Sequence, residues 1–129
     1  MYKDYSEWMN VKREINNKIG LKIKYFKEKD IWWANIGENV GFEEDGKGEH
    51  FLRPVLILRK FNQNLLLSVS LSNTNKEGIY YSKFKSKKIQ GNVLLSQIRT
   101  IDSARLTRKM GMVSDLDFNI IKEKLRKII

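Results

Sequence analysis

The groups able to do chemistry in this sequence fall into a few short stretches. Arg53 stands directly before Pro54, the only proline, and three residues after His50, the only histidine. A guanidinium stays protonated and presents a planar fork of donors, so it suits holding an anionic oxygen better than shuttling protons. Hydroxyls follow at every second position in Ser68-Val69-Ser70-Leu71-Ser72-Asn73-Thr74. Glu43 and Glu44 are adjacent carboxylates upstream, and Lys83, Lys85, Lys87 and Lys88 form a basic run downstream. Such lysines either track phosphates or guard an exposed strand edge against aggregation. With one histidine and no cysteine, a paired-histidine mechanism, a cysteine nucleophile, a thiolate metal site and disulfides are all excluded. No calcium-loop pattern is present either.

The charge that would surround these groups is uneven. Residues 1–29 carry 8 basic and 4 acidic side chains, residues 30–52 carry 1 and 6, and residues 53–129 carry 16 and 5. A basic body of net charge +10 therefore holds one acidic segment, which points to a polyanionic partner, nucleic acid or an anionic surface. The alternative is a merely solvated surface. No apolar run approaches the length of a membrane span, and the N-terminal stretch Met1–Trp8 lacks the apolar core of a signal peptide. The sequence reads as a soluble cytoplasmic protein of one folded domain, large enough at 129 residues and 41% hydrophobic to bury a core.

The elements that must position the polar groups are mostly strands. Tyr5, Trp8, Val11, Ile15 and Ile19 recur at helical spacing before Gly20, predicting an N-terminal helix, and Leu21, Ile23 and Tyr25 then read as a short half-buried strand or an extended arm. Ile31–Ile36, Arg53–Leu58, Leu65–Leu71, Ile79–Phe84 and Asn92–Leu95 read as strands, with Arg53–Leu58 and Leu65–Leu71 joined as a hairpin across residues 61–64. Residues 38–49 form an acidic, glycine-broken loop that ends just before Arg53. Trp32 and Trp33 are neighbours on a strand, so at most one faces the core. Ser114 precedes a helix with Phe118, Ile121, Leu125 and Ile128 on one face. The fold class is mainly β with α additions, a small antiparallel barrel with an N-terminal and a C-terminal helix.

Four blocks then stand out in order: Ile31-Trp32-Trp33-Ala34-Asn35-Ile36-Gly37, Val40-Gly41-Phe42-Glu43, Arg53-Pro54-Val55-Leu56-Ile57-Leu58 and Leu95-Ser96-Gln97-Ile98-Arg99-Thr100-Ile101-Asp102. In order and spacing they resemble the MazF/PemK family of toxin endoribonucleases over residues 30–129, leaving residues 1–29 as an N-terminal extension. The resemblance implies an SH3-like barrel of the MazF/CcdB type, a homodimer, and single-stranded RNA bound in a groove. It implies cleavage without metal or cofactor to a 2′,3′-cyclic phosphate and a 5′-hydroxyl. It also implies a cognate acidic antitoxin across the same basic surface, with DNA binding through the antitoxin complex.

The same resemblance assigns roles. Arg53 matches the catalytic arginine, and Ser72 aligns with the family's threonine, with Ser70 and Thr74 as alternatives within the register. Serine keeps the hydroxyl but lacks the methyl that limits its rotamers, which predicts a less preorganised donor. Glu43 takes the family's carboxylate place, either accepting the 2′-proton or, as favoured here, pairing with Arg53. The RNA-binding groups expected are Trp33, Lys47, His50, Asn73, Thr74, Lys83, Lys85 and Lys87, with no metal ligand among them. Two rivals share the fold. A gyrase-poisoning toxin of the CcdB type would carry a C-terminal Trp-Gly-Ile, where this chain reads Arg126-Lys127-Ile128-Ile129. A catalytically silent RNA- or antitoxin-binding module would fit the serine at 72.

Overall fold

The computed structural model describes residues 24–37 and 52–129, so the expected N-terminal helix and the acidic loop lie outside the described residues. Six strands, β1 (Asp30–Asn35), β2 (Leu52–Lys60), β3 (Leu65–Ser72), β4 (Tyr81–Lys85), β5 (Gln90–Asp102) and β6 (Leu106–Met112), precede a helix, α1 (Asp115–Ile128). They form one sheet in the order β4-β5-β3-β2-β1-β6, every ladder antiparallel.

The apolar run in β2 explains the layering. Leu56 and Leu58 join Ile31, Val69, Leu71 and Phe84 in one core, while Val55 and Ile57 join Trp32, Leu66, Ile101 and Leu106 in another. Both faces of the central sheet are covered, which is why Val55–Leu58 is continuous in apolar residues instead of alternating. The expected split of the tryptophans follows. Trp32 is in the second core, donating its indole N–H to the buried Asp30 at 3.2 Å, while Trp33 stays half-buried.

Helix α1 closes the first core. Ser114 caps it by accepting from the Asp117 N–H at 3.1 Å, and Asp115 and Asp117 stand at its positive end, as the pattern predicts. Phe118, Ile121 and Leu125 are buried in that core, each worth about 1.5–3 kcal/mol when removed from water. No helix among the described residues is long and apolar enough to cross a membrane.

The fold class is as expected, but among the described residues the sheet does not close into a barrel. β4 and β6 are the two ends of the sheet, and no ladder joins them among the described residues. Register shifts bend β1 against β6, β2 against β3 and β3 against β5. The sheet curls until a methyl group on Gly111 of β6 would touch Ser86 Oγ, in the turn after β4, at 3.9 Å. Yet β4 is only five residues long, and β6 buries Leu106 alone.

Candidate active site

Three ladders bring separate parts of the chain to one end of the sheet. Trp33 lies opposite Pro54 on one side and Arg108 on the other, and Ala34 lies opposite Arg53. Val55 pairs with Ser70, so the antiparallel register, continued by two residues, sets Arg53 level with Ser72. The result is a cavity of ≈ 440 Å³ lined by Trp33, Leu52, Arg53, Pro54, Leu71, Ser72, Asn73, Ile89 and Arg108. Leu52, Pro54, Leu71 and Ile89 supply apolar walls, on which charged and hydrogen-bonding groups act more strongly than in water.

Arg53 is only 6% exposed, and its Nη1 donates to the Leu71 carbonyl at 3.2 Å. Its guanidinium is thus part of the cavity wall and not a tether in solvent. Ser72 ends β3, half-buried; its Oγ accepts the Thr74 N–H at 3.2 Å and lies 2.9 Å from Thr74 Oγ1. Ser70 is 4% exposed and absent from the cavity wall, so Ser72 is the hydroxyl of this strand that lines it.

A second cavity of ≈ 460 Å³ adjoins the first through Asn73 and is lined by Thr74, Asn75, Lys83, Phe84, Lys85, Gln90, Gly91 and Asp117. Lys83 and Lys85 are exposed on edge strand β4, with Glu77 3.8 Å from the Lys83 ammonium. Lys87 is exposed in the Ser86–Ile89 turn and lines neither cavity. Glu43, Lys47 and His50 lie outside the described residues. The structure therefore gathers Arg53, Ser72, Trp33 and Asn73 around one cavity and Thr74, Lys83 and Lys85 around its neighbour.

Arg108 was not foreseen. Its strand carries Leu106-Thr107-Arg108-Lys109-Met110 with no period-two apolar pattern, because β6 is an edge with little to bury. Elsewhere, burial and the neighbouring Arg99 lower the affinity of the Arg105 guanidinium for its proton, and its Nη1 is tied to the Asn35 carbonyl at 3.0 Å. Arg105 lines neither of the two cavities. Among the described residues no three His, Cys, Asp or Glu side chains converge as a metal site.

The fold and sequence can be set beside known proteins. A family model described as PemK-like, MazF-like toxin of type II toxin-antitoxin system matches residues 27–129. The crystal structure of MazF (Form-I) from Deinococcus radiodurans is similar at a TM-score of 0.69 and 18% identity, covering 83% of this chain and 96% of that one. An endoribonuclease from a mycobacterial species gives a TM-score of 0.64 at 14% identity, covering 81% and 91%. An endoribonuclease in complex with its cognate antitoxin, also mycobacterial, gives 0.61 at 16%, covering 80% and 93%. No curated protein matches the chain.

Proposed function

The chain belongs to the PemK-like, MazF-like toxins of type II toxin-antitoxin systems, and on that premise we propose that it is an endoribonuclease that cleaves single-stranded RNA without a metal. The reaction is attack of a ribose 2′-oxygen on its adjacent phosphorus with departure of the 5′-oxygen, leaving a 2′,3′-cyclic phosphate and a 5′-hydroxyl. It needs an acceptor for the 2′-proton, a donor for the 5′-oxygen, and donors for the charge that gathers on the non-bridging oxygens.

The observation that carries the reading is that Arg53 and Ser72 line one cavity, two residues beyond the Val55–Ser70 pair of the β2–β3 ladder. In this role the Arg53 guanidinium stabilises the phosphorane, and the Ser72 hydroxyl donates to a second oxygen of the same group. Both belong to strands held by ladders, so little reorganisation is required when charge develops. Arg108, on the same wall, adds a second cation. Trp33 offers a ring face for a base, and Lys83 and Lys85 continue the basic track through the neighbouring cavity. Glu43 is assigned to pairing with Arg53, so solvent water takes the 2′-proton and returns one to the departing 5′-oxygen. The partners on this reading are RNA, a second copy of the chain, and an acidic antitoxin that competes with RNA for the same cations; residues 1–29 are an extension to the toxin domain.

The test is cleavage of a single-stranded RNA in EDTA, with and without a 2′-deoxy substitution at the cut site. Cutting should persist in EDTA and stop at the deoxy position; cutting of the deoxy substrate would overturn the mechanism.

A further inference from the structure

Ser72 is not the only unusual polar group beside the cavity. Asn92 of β5 is 1% exposed, lies opposite Ser72 on one side and Lys83 on the other, and so shares their face of the sheet. Its Nδ2 donates to the Thr74 carbonyl at 2.7 Å. Thr74 in turn donates its N–H to Ser72 Oγ and places its own hydroxyl 2.9 Å away. The chain before Asn92 is fitted to the same turn: a side chain on Gly91, at φ +154, would lie 2.0 Å from the Ser72 carbonyl oxygen. Only glycine lets the Ser72–Asn73 backbone pass so close.

We propose that Asn92 is the positioning residue for Ser72, fixing its hydroxyl through Thr74 and so replacing the rotamer restraint that a threonine methyl would provide. The inference rests on the ribonuclease reading of the cavity. A purely structural role is disfavoured by the other end of the carboxamide. Asn92 Oδ1 is buried with no hydrogen-bond partner among the described residues. An apolar, β-branched residue at this strand position would leave no such orphan, so packing alone does not call for asparagine. The amide orientation is set by its neighbour, since a carbonyl turned toward the Thr74 carbonyl would repel it. The chain of contacts thus runs from a rigid central strand, through one backbone carbonyl, to the hydroxyl that must not wander.

The test compares wild type, Asn92→Val, Ser72→Thr and the double variant. Asn92→Val should melt no lower than wild type, lose about tenfold in kcat at unchanged KM for RNA, and be rescued by Ser72→Thr, which confines the hydroxyl by its own methyl. Wild-type kcat in Asn92→Val overturns the proposal, and so does a loss that tracks a lowered melting temperature and survives Ser72→Thr. Should Asn92→Val not fold, Asn92→Ala is read in the same way. A separate arm needs no RNA: hydrogen exchange at the Thr74 amide, followed by NMR, should quicken in Asn92→Val, and unchanged exchange overturns the proposal. A wild type that fails to cut RNA while the Thr74 amide still responds to residue 92 sinks the ribonuclease reading and leaves the positioning role standing.

Discussion

The two neighbouring cavities are built in opposite ways. The first takes Arg53 and Ser72 from β2 and β3, strands paired on both sides, with Arg53 almost wholly buried. The second takes Lys83 and Lys85 from β4, a short edge strand, both side chains exposed. Groups on strands held in ladders keep their geometry, while exposed lysines on an edge strand can adapt to an arriving phosphate. On the proposed ribonuclease reading, the first cavity would govern rate and the second affinity, and substitutions should separate them.

Arg53→Ala has the largest expected effect. Removing one donor to a developing oxyanion costs roughly 2–4 kcal/mol of transition-state stabilisation, so kcat should fall by about thirtyfold to a thousandfold, with circular dichroism showing a retained fold. An unchanged rate would take Arg53 out of the site. Ser72→Ala comes next. A hydrogen bond to a charged group is worth about 1.5–3 kcal/mol, and the loss should again fall on kcat. If Ser72→Ala is neutral, the hydroxyl required belongs to Thr74, which lines the adjoining cavity, and Thr74→Ala then decides. The smallest effect on rate is expected from Lys83→Ala with Lys85→Ala. Their loss should raise KM and flatten the salt dependence of RNA binding by about 0.7 logarithmic units per phosphate contact removed, with kcat little changed. A fall in kcat equal to that of Ser72→Ala would erase the distinction between the two cavities.

What could be read from the sequence follows the same division. The interior strands were legible because burial on two faces leaves an apolar run, as in Val55–Leu58, and the cap of α1 because Ser114 and the acidic first turn obey local rules. Arg53 and Ser72 were singled out through resemblance to a family, and the structure places both on the wall of one cavity, two residues beyond the Val55–Ser70 pair. The edges were harder. β6 and the far half of β5, through Ser96-Gln97-Ile98-Arg99-Thr100, bury little and show no period, so Arg108 went unseen and β5 was expected to end at Leu95. That β4 and β6 do not pair among the described residues has a related reason: closure is a long-range pairing of two weak edges, which no local pattern encodes. Asn92 was placed in a strand but given no role, since its importance rests on contacts with a turn eighteen residues away in sequence.

The central claim, that Arg53 and Ser72 serve an attack by the ribose 2′-oxygen, is tested most directly by the ends of the fragments. RNA cut by the purified protein should carry a 2′,3′-cyclic phosphate on the upstream fragment, seen by mass spectrometry as one water less than the linear phosphate, and a 5′-hydroxyl on the downstream one. Fragments ending in a 3′-hydroxyl and a 5′-phosphate would mean that water, not the 2′-oxygen, attacks phosphorus, and would contradict the account.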